Sequence, residues 1–178
     1  EPPQVTNMGT ANLVYPIILP VGRQGIQPDL SIQYGSDGDN GWLGLGWNLQ
    51  ISSVSVETRW GVPRYLEDKE SETYVLNGEQ LWPVAHRGEL ASRTSEKQFY
   101  PRVEGEFSKI IRHGDNPSNY WWEVTDKSGV RFSYGGTENE GIIGSSVLTD
   151  TEGNIAHWAL VEIRDLNGNF VKYEYHKQ

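Results

Sequence analysis

Cysteine is absent from the 178 residues, which removes disulfides, thiolate metal ligands and a thiol nucleophile together. It leaves the compartment open, since exported bacterial proteins also dispense with cysteine. No apolar run approaches the roughly twenty residues of a membrane-crossing helix; the longest are strand-sized. Helical patterning is missing as well: no window of eleven residues repeats apolar positions at three-and-four spacing, and 20 Gly with 9 Pro interrupt the chain every few residues. Positive charge is scarce. Fifteen Lys and Arg face 24 Asp and Glu, a net charge of −9, and the basic residues are scattered, so a nucleic-acid partner is not expected.

What is present is short, alternating, strand-like sequence. Candidate strands span 13–19, 29–34, 47–58, 73–76, 79–84, 98–102, 106–112, 120–125, 130–134, 155–164 and 169–176. Asn77-Gly78 between two apolar-bearing runs reads as a type I′ hairpin turn, because both residues tolerate the positive φ it demands. Asp126-Lys127-Ser128-Gly129, Asp150-Thr151-Glu152-Gly153 and Asp165-Leu166-Asn167-Gly168 share a second turn form: Asp accepts from the turn's own amides and Gly takes the left-handed position. Within 47–58, Leu49 and Ile51 lie on one parity, Val54 and Val56 on the other. A bulge or a change of sheet is therefore expected near Ser53. Segments 67–72 and 87–97 read as exposed polar loops. The chain is read as a single module, 1–178, cut from a longer protein, since it opens at Glu1 and stops inside a repeat-like strand.

Chemistry is hard to place on this chain. There is no G-x-S-x-G elbow, and no serine has a histidine close in sequence. His86, His113, His157 and His176 form no H-x-H or H-x-x-x-H pair, so none is nominated as a metal ligand. Asp37-Gly38-Asp39-Asn40-Gly41 lacks the twelve-residue ladder and closing Glu of a calcium loop and reads as turn. Glu67, Asp68, Glu70 and Glu72 read as an acidic loop. Seven Trp and nine Tyr could stack on sugars, although pairs at alternate strand positions, such as Tyr120 with Trp122 or Tyr173 with Tyr175, more often face a core. No catalytic, cofactor-binding or metal residue is assigned, and no cofactor is expected.

The densest signal is Gly41-Trp42-Leu43-Gly44-Leu45-Gly46-Trp47-Asn48-Leu49, where glycines permit a tight bend between large apolar side chains. Together with residues 16–34, from Pro16-Ile17 through Gly22-Arg23, Gly25 and Pro28 to Tyr34, it resembles the N-terminal region of the virulence-plasmid B proteins of Salmonella type, which B components of insecticidal toxin complexes share. Residues 158–175, with Asp165-Leu166-Asn167-Gly168-Asn169 and Tyr173-Glu174-Tyr175, are similar to the same family and to one tyrosine-aspartate unit of the Rhs class. Between these blocks the likeness is loose. Some members of such families carry a downstream ADP-ribosyltransferase with a Glu-x-Glu pair; Glu138-Asn139-Glu140 here follows Tyr134-Gly135-Gly136 and reads as a solvated turn.

The fold expected is all-β: antiparallel sheets of many short strands, sandwich-like or a curved strip, with almost no helix. The resemblance implies a non-catalytic module of a secreted toxin-complex or Rhs-like protein, part of a β-shell around a C-terminal toxin. Its implied partners are the remaining β-strips and the toxin-complex subunits, with weak self-association through an edge strand. The alternative from the residues is a carbohydrate- or surface-binding β-sandwich of an exported protein. Trp47 is expected in the main core. Far-UV circular dichroism should show less than about 15% helix, against about one-third in ordinary globular proteins; a larger fraction would overturn the strand reading.

Overall fold

A computed structural model describes residues 4–5, 11–38, 40–41, 43–82, 85–86, 89–101 and 107–176. The fold is all-β. Every strand pairing is antiparallel, and the helical residues described are two single 3₁₀ turns, Arg23–Gly25 and Gly144–Ser146. The chain divides into two compact units, Glu1–Ile51 and Ser52–Gln178. The division coincides with the phase change read near Ser53. The expected strand 47–58 is two strands in two sheets: Trp47–Gln50 belongs to the first unit and Ser53–Val56 to the second.

The first unit holds a four-stranded sheet in the order Gln4–Val5, Ala11–Pro16, Ser31–Gly35, Trp47–Gln50. Register places Leu13, Tyr34 and Trp47 in one cross-strand row and Tyr15, Ile32 and Leu49 in the next. Residues directly opposite share a face, so one face is apolar. The Tyr34 and Trp47 rings lie 4.9 Å apart. Trp47 is half-buried in this unit and absent from the main core, contrary to the sequence-based expectation. The glycines around it behave as expected. Gly44 and Gly46 have φ of 112° and 74°, and a Cβ on Gly46 would stand 2.6 Å from the Gly35 carbonyl oxygen. Trp42 and Asp39 lie outside the described residues.

The second unit is built on a barrel-like sheet of eight strands. Their order is Arg131–Tyr134, Trp121–Asp126, Phe107–His113, Glu96–Pro101, Glu79–Trp82, Tyr74–Leu76, Ser53–Val56 and Ile155–Arg164. Ile155–Arg164 closes the ring: it pairs with Ser53–Val56 over 157–159 and with Arg131–Tyr134 over 160–164. It also carries Val147–Thr149 and Phe170–Lys172 beside it. This strand is buried almost throughout, from Ile155 to Ile163, which means both of its faces are covered.

The interior is aromatic. Tyr74, Phe99, Trp122 and Trp158 meet at centroid distances of 4.9–5.9 Å, mostly edge to face. The Trp158 indole donates to the Tyr120 carbonyl oxygen at 2.5 Å. Tyr120 and Trp122 are fully buried, so this pair packs the core and does not offer a sugar platform.

The predicted turns are present. Asn77 and Gly78 have φ of 51° and 83° in the hairpin joining Tyr74–Leu76 to Glu79–Trp82. The Asn77 amide oxygen accepts from the Ser53 N–H at 3.0 Å and the Ser52 hydroxyl at 2.9 Å, which ties the turn to the neighbouring strand. In the three Asp turns the carboxylate oxygen accepts two amides each. The donors are Ser128 and Val130 to Asp126, Glu152 and Asn154 to Asp150, and Asn167 and Asn169 to Asp165, all at 2.8–2.9 Å. Gly129, Gly153 and Gly168 take φ of 85–90° or just below, at 85°, 90° and 83°.

Trp122→Ala should cost about 3–5 kcal/mol as a buried large-to-small change, whereas Trp47→Ala, from a half-buried site, should cost about 1–2 kcal/mol. Urea unfolding of the two variants checks the ranking, and equal losses would contradict it. The side chains of Asn154 and Asn169, followed by turn amides, hold the Asp150 and Asp165 carboxyls below the usual aspartate range. A lowered carboxyl stabilises the fold above its unfolded pKa, and the contribution disappears as pH falls through the folded value. NMR titration should place both midpoints below that of a free aspartate, and Asp165→Asn should remove its share of the acid dependence.

Candidate functional site

The segments read as exposed polar loops supply the most polar interior feature of the molecule. Residues 66–72 and 91–97 run side by side: the Glu70 N–H donates to the Ala91 carbonyl at 2.8 Å, the Arg93 N–H to the Asp68 carbonyl at 3.1 Å, and Lys69 bridges Ser92. From this strap two carboxylates enter the interior. Glu70 accepts a bidentate pair from Arg112 at 2.6 and 2.6 Å, and Glu72 accepts one from Arg93 at 2.9 and 2.8 Å. Glu67 and Asp68 are exposed, as expected, but Glu70 and Glu72 are buried. Burial is possible because each meets a planar guanidinium in fork-to-fork geometry.

Arg112 is the centre of this group. Its side chain is 0% exposed, with the guanidinium carbon 3.8 Å from the Tyr120 ring centre, 5.5 Å from Phe99 and 5.9 Å from Tyr74. Burial pulls its pKa down, but the Glu70 bridge more than offsets this and raises it. Arg93 behaves alike through Glu72. It also donates to the Leu66 carbonyl at 2.7 Å and the Tyr120 hydroxyl at 3.2 Å. Lys97 is the third cation, 3.7 Å from Glu70. Burial, helped by Arg112 and Arg93 and opposed by Glu70, lowers its pKa. Burial also raises the hydroxyls of Tyr74 and Tyr120. Both carboxylates are engaged by guanidinium forks, and Glu72 also accepts from the Ser71 hydroxyl at 2.6 Å and the Tyr74 hydroxyl at 3.4 Å; the arrangement fastens a strap.

A second feature is a groove of about 260 Å³ on the flank of Ile155–Arg164. Its apolar lining includes Ile143, Val161, Tyr173 and Tyr175; of its carboxylates, Glu162 accepts a bidentate pair from Arg164 at 2.8 and 3.0 Å, while Glu140 and Glu174 stand with Lys172 in the lining. Lys172 pairs with Glu140 at 2.7 Å, which spans the groove, and the Tyr175 hydroxyl donates to the Leu160 carbonyl at 2.6 Å. The expected strand 169–176 is paired as a ladder over Phe170–Lys172, and beyond it the Tyr173 N–H donates to the Val161 carbonyl at 2.9 Å.

The histidines remain dispersed. His113 stacks on Trp121 at 4.1 Å, His157 has its pKa lowered by burial, and His176 borders the groove. The side chain of His86 lies outside the described residues. No group of three or more His, Asp or Glu able to hold a metal occurs among the described residues. Glu138-Asn139-Glu140 forms the turn expected of it, with the Glu140 N–H donating to the Thr137 hydroxyl at 3.2 Å.

Sequence reasoning missed the strap. The available signal was Arg112, which shares the parity of Ile110 in the strand Phe107–His113. Glu70→Gln should cost about 3–5 kcal/mol, because it strands a buried guanidinium. Glu70→Leu combined with Arg112→Leu should recover much of that loss, which a double-mutant cycle in urea checks.

Comparison with known proteins fits this geometry. Mono(ADP-ribosyl)transferase SpvB of Salmonella typhimurium is 24% identical over 182 residues, as is that of Salmonella choleraesuis; 94% of this chain and 30% of each relative are covered. The chain therefore spans 30% of the length of these relatives. In solved structures, the N-terminal domain of SpvB from Salmonella typhimurium LT2 matches at a TM-score of 0.70, with 24% identity over 93% of this chain and 54% of that one. The TcdB2-TccC3 structure matches at 0.71 and the Photorhabdus luminescens Tc holotoxin pore at 0.74, with 23% and 22% identity, each over 94% of this chain and 8% of the other. The solved part of SpvB that matches is its N-terminal domain. The profile of the Salmonella virulence plasmid 65 kDa B protein matches residues 5–178, almost the whole sequence, and the chain belongs to that family.

Proposed function

We propose that this chain is a non-catalytic structural module of a secreted toxin-complex or Rhs-like protein, contributing to a β-shell that encapsulates a C-terminal toxin and helps deliver it. The observation that supports the reading is the shared fold: 94% of this chain matches the TcdB2-TccC3 structure at a TM-score of 0.71, over 8% of that much longer chain. The local physics agrees with a wall element. The barrel is packed with aromatic side chains and tied shut by paired charges, while turn chemistry of one form is reused along the chain.

In this reading both compact units serve one module, and the partners are further β-strips of the same polypeptide together with toxin-complex subunits. Weak association between copies through the C-terminal edge belongs to the same proposal, since Phe170–Lys172 carries pairing partners on one side among the described residues.

The test uses the complete polypeptide that carries this region. Limited proteolysis should leave its C-terminal segment protected, and deletion of residues 1–178 should expose it. A C-terminal segment cut equally fast with and without the region would end the encapsulation reading. Extending the chain by its next strips should raise its melting temperature.

A further inference from the structure

Strand alternation divides the side chains of Glu79–Trp82 and Glu96–Pro101 between two faces. Leu81 and Phe99 are buried in the barrel, so Gln80, Trp82, Gln98 and Tyr100 point outward. Trp82 and Tyr100 stand directly opposite each other in register, and residues so placed have Cβ atoms about 4.5–5.5 Å apart. Both rings meet solvent, at 42% and 55% exposure. One exposed aromatic needs no explanation; two adjoining ones on one face form a platform. Gln80 is half-buried and Gln98 is exposed, each two residues before a ring on its own strand. Among the described residues neither amide makes a side-chain hydrogen bond.

The chemistry of these four side chains selects a ligand. None is charged, in a chain where 22% of residues are, and Lys109, the cation next in register, lies beyond the last pair of the ladder, Phe99 with Ile110. The electron-rich faces of Trp and Tyr attract the C–H bonds that one side of a sugar ring presents. Each amide carries both donors and an acceptor, and a hydroxyl is likewise both, so sugar hydroxyls match both ends of Gln80 and Gln98. A proline-rich helix also docks on aromatic side chains, but its prolines lack N–H groups and leave the amide oxygens unmatched. We propose that the outer face at Trp82 and Tyr100 is a binding site for a neutral glycan: a pyranose ring stacks on the aromatic pair while Gln80 and Gln98 hold its hydroxyls. An open platform covers one side of its ligand only, so binding is weak, with Kd of about 1 mM. The buried pair Tyr120 and Trp122 takes no part in it. The inference is independent of the shell reading, which concerns what the module encloses.

Nitrogen–proton correlation spectra of the purified chain test it, with neutral oligosaccharides of glucose, galactose, mannose and N-acetylglucosamine added to about 10 mM. At least one of them should shift the Trp82 indole N–H resonance saturably, while that of Trp60, which is 83% exposed, stays in place. Tyr100→Ala, which removes the more exposed ring, should weaken binding at least about tenfold, and Gln98→Ala about fivefold. Both are surface sites, so the variants should keep the parent's melting temperature, which is measured first. The proposal is overturned if no neutral probe moves the Trp82 resonance, if Tyr100→Ala binds as the parent does, or if a sialylated probe binds more tightly than its neutral core. A polyproline peptide that shifts this resonance when no sugar does would overturn it too, and would assign the face to a peptide.

Discussion

The bidentate contact between Arg112 and Glu70 is the interaction on which the barrel's organisation turns. Arg112 lies on Phe107–His113 and Glu70 on the strap, so their pairing fastens an irregular segment to a regular strand 42 residues away. Removing two charges from water is expensive, and their attraction repays it only in good geometry; here both guanidinium Nη atoms bond Glu70 and one also reaches the Thr94 carbonyl at 3.3 Å, while Nε stays buried without a hydrogen-bond partner among the described residues. Here the guanidinium also lies against the Tyr120 ring. Hydrophobic packing of Tyr74, Phe99, Trp122 and Trp158 provides cohesion without direction; the charge pairs specify which segment crosses the interior and where.

How much of this was legible depended on the range of each signal. The Asn77-Gly78 hairpin and the three Asp turns are written in four or five adjacent residues, and their backbone angles and hydrogen bonds follow from those residues alone. The change of sheet at Ile51-Ser52 was visible as a slip in parity. The strap was not legible, because Glu70 and Glu72 sit in a run of charged residues whose composition is that of solvent-exposed loop. Their partners, Arg93 and Arg112, lie 21 and 42 residues on, and only closure of the sheet brings them together.

The richest sequence motif misled in a different way. Gly41 to Leu49 identifies the family, yet Trp47 lies in the smaller unit and is half-buried against Tyr34. Glycine spacing reports the local backbone requirement, which Gly44 and Gly46 meet; it carries no information about which sheet the adjoining tryptophan packs in. The main core is assembled instead from aromatics spread between residues 74 and 158, of which Trp158 opens the second family-like block while Tyr74, Phe99 and Trp122 belong to no recognised motif. The groove depends on the same long-range assembly, since residues around 140, 161 and 173 converge only after the ring has closed.

The strand Ile155–Arg164 shares its ten residues among four neighbours, two along each half. Seen mechanically, that makes it a keystone. A pull on the chain beyond Tyr175 meets first the bonds of Tyr175 to Leu160 and of Tyr173 to Val161, and then the three residue pairs of Phe170–Lys172, one at a time. The long strand itself is gripped along both margins by Ser53–Val56 and Arg131–Tyr134, so displacing it means shearing several ladders at once. The molecule therefore yields gradually at its C-terminal flank while the ring behind it holds its shape.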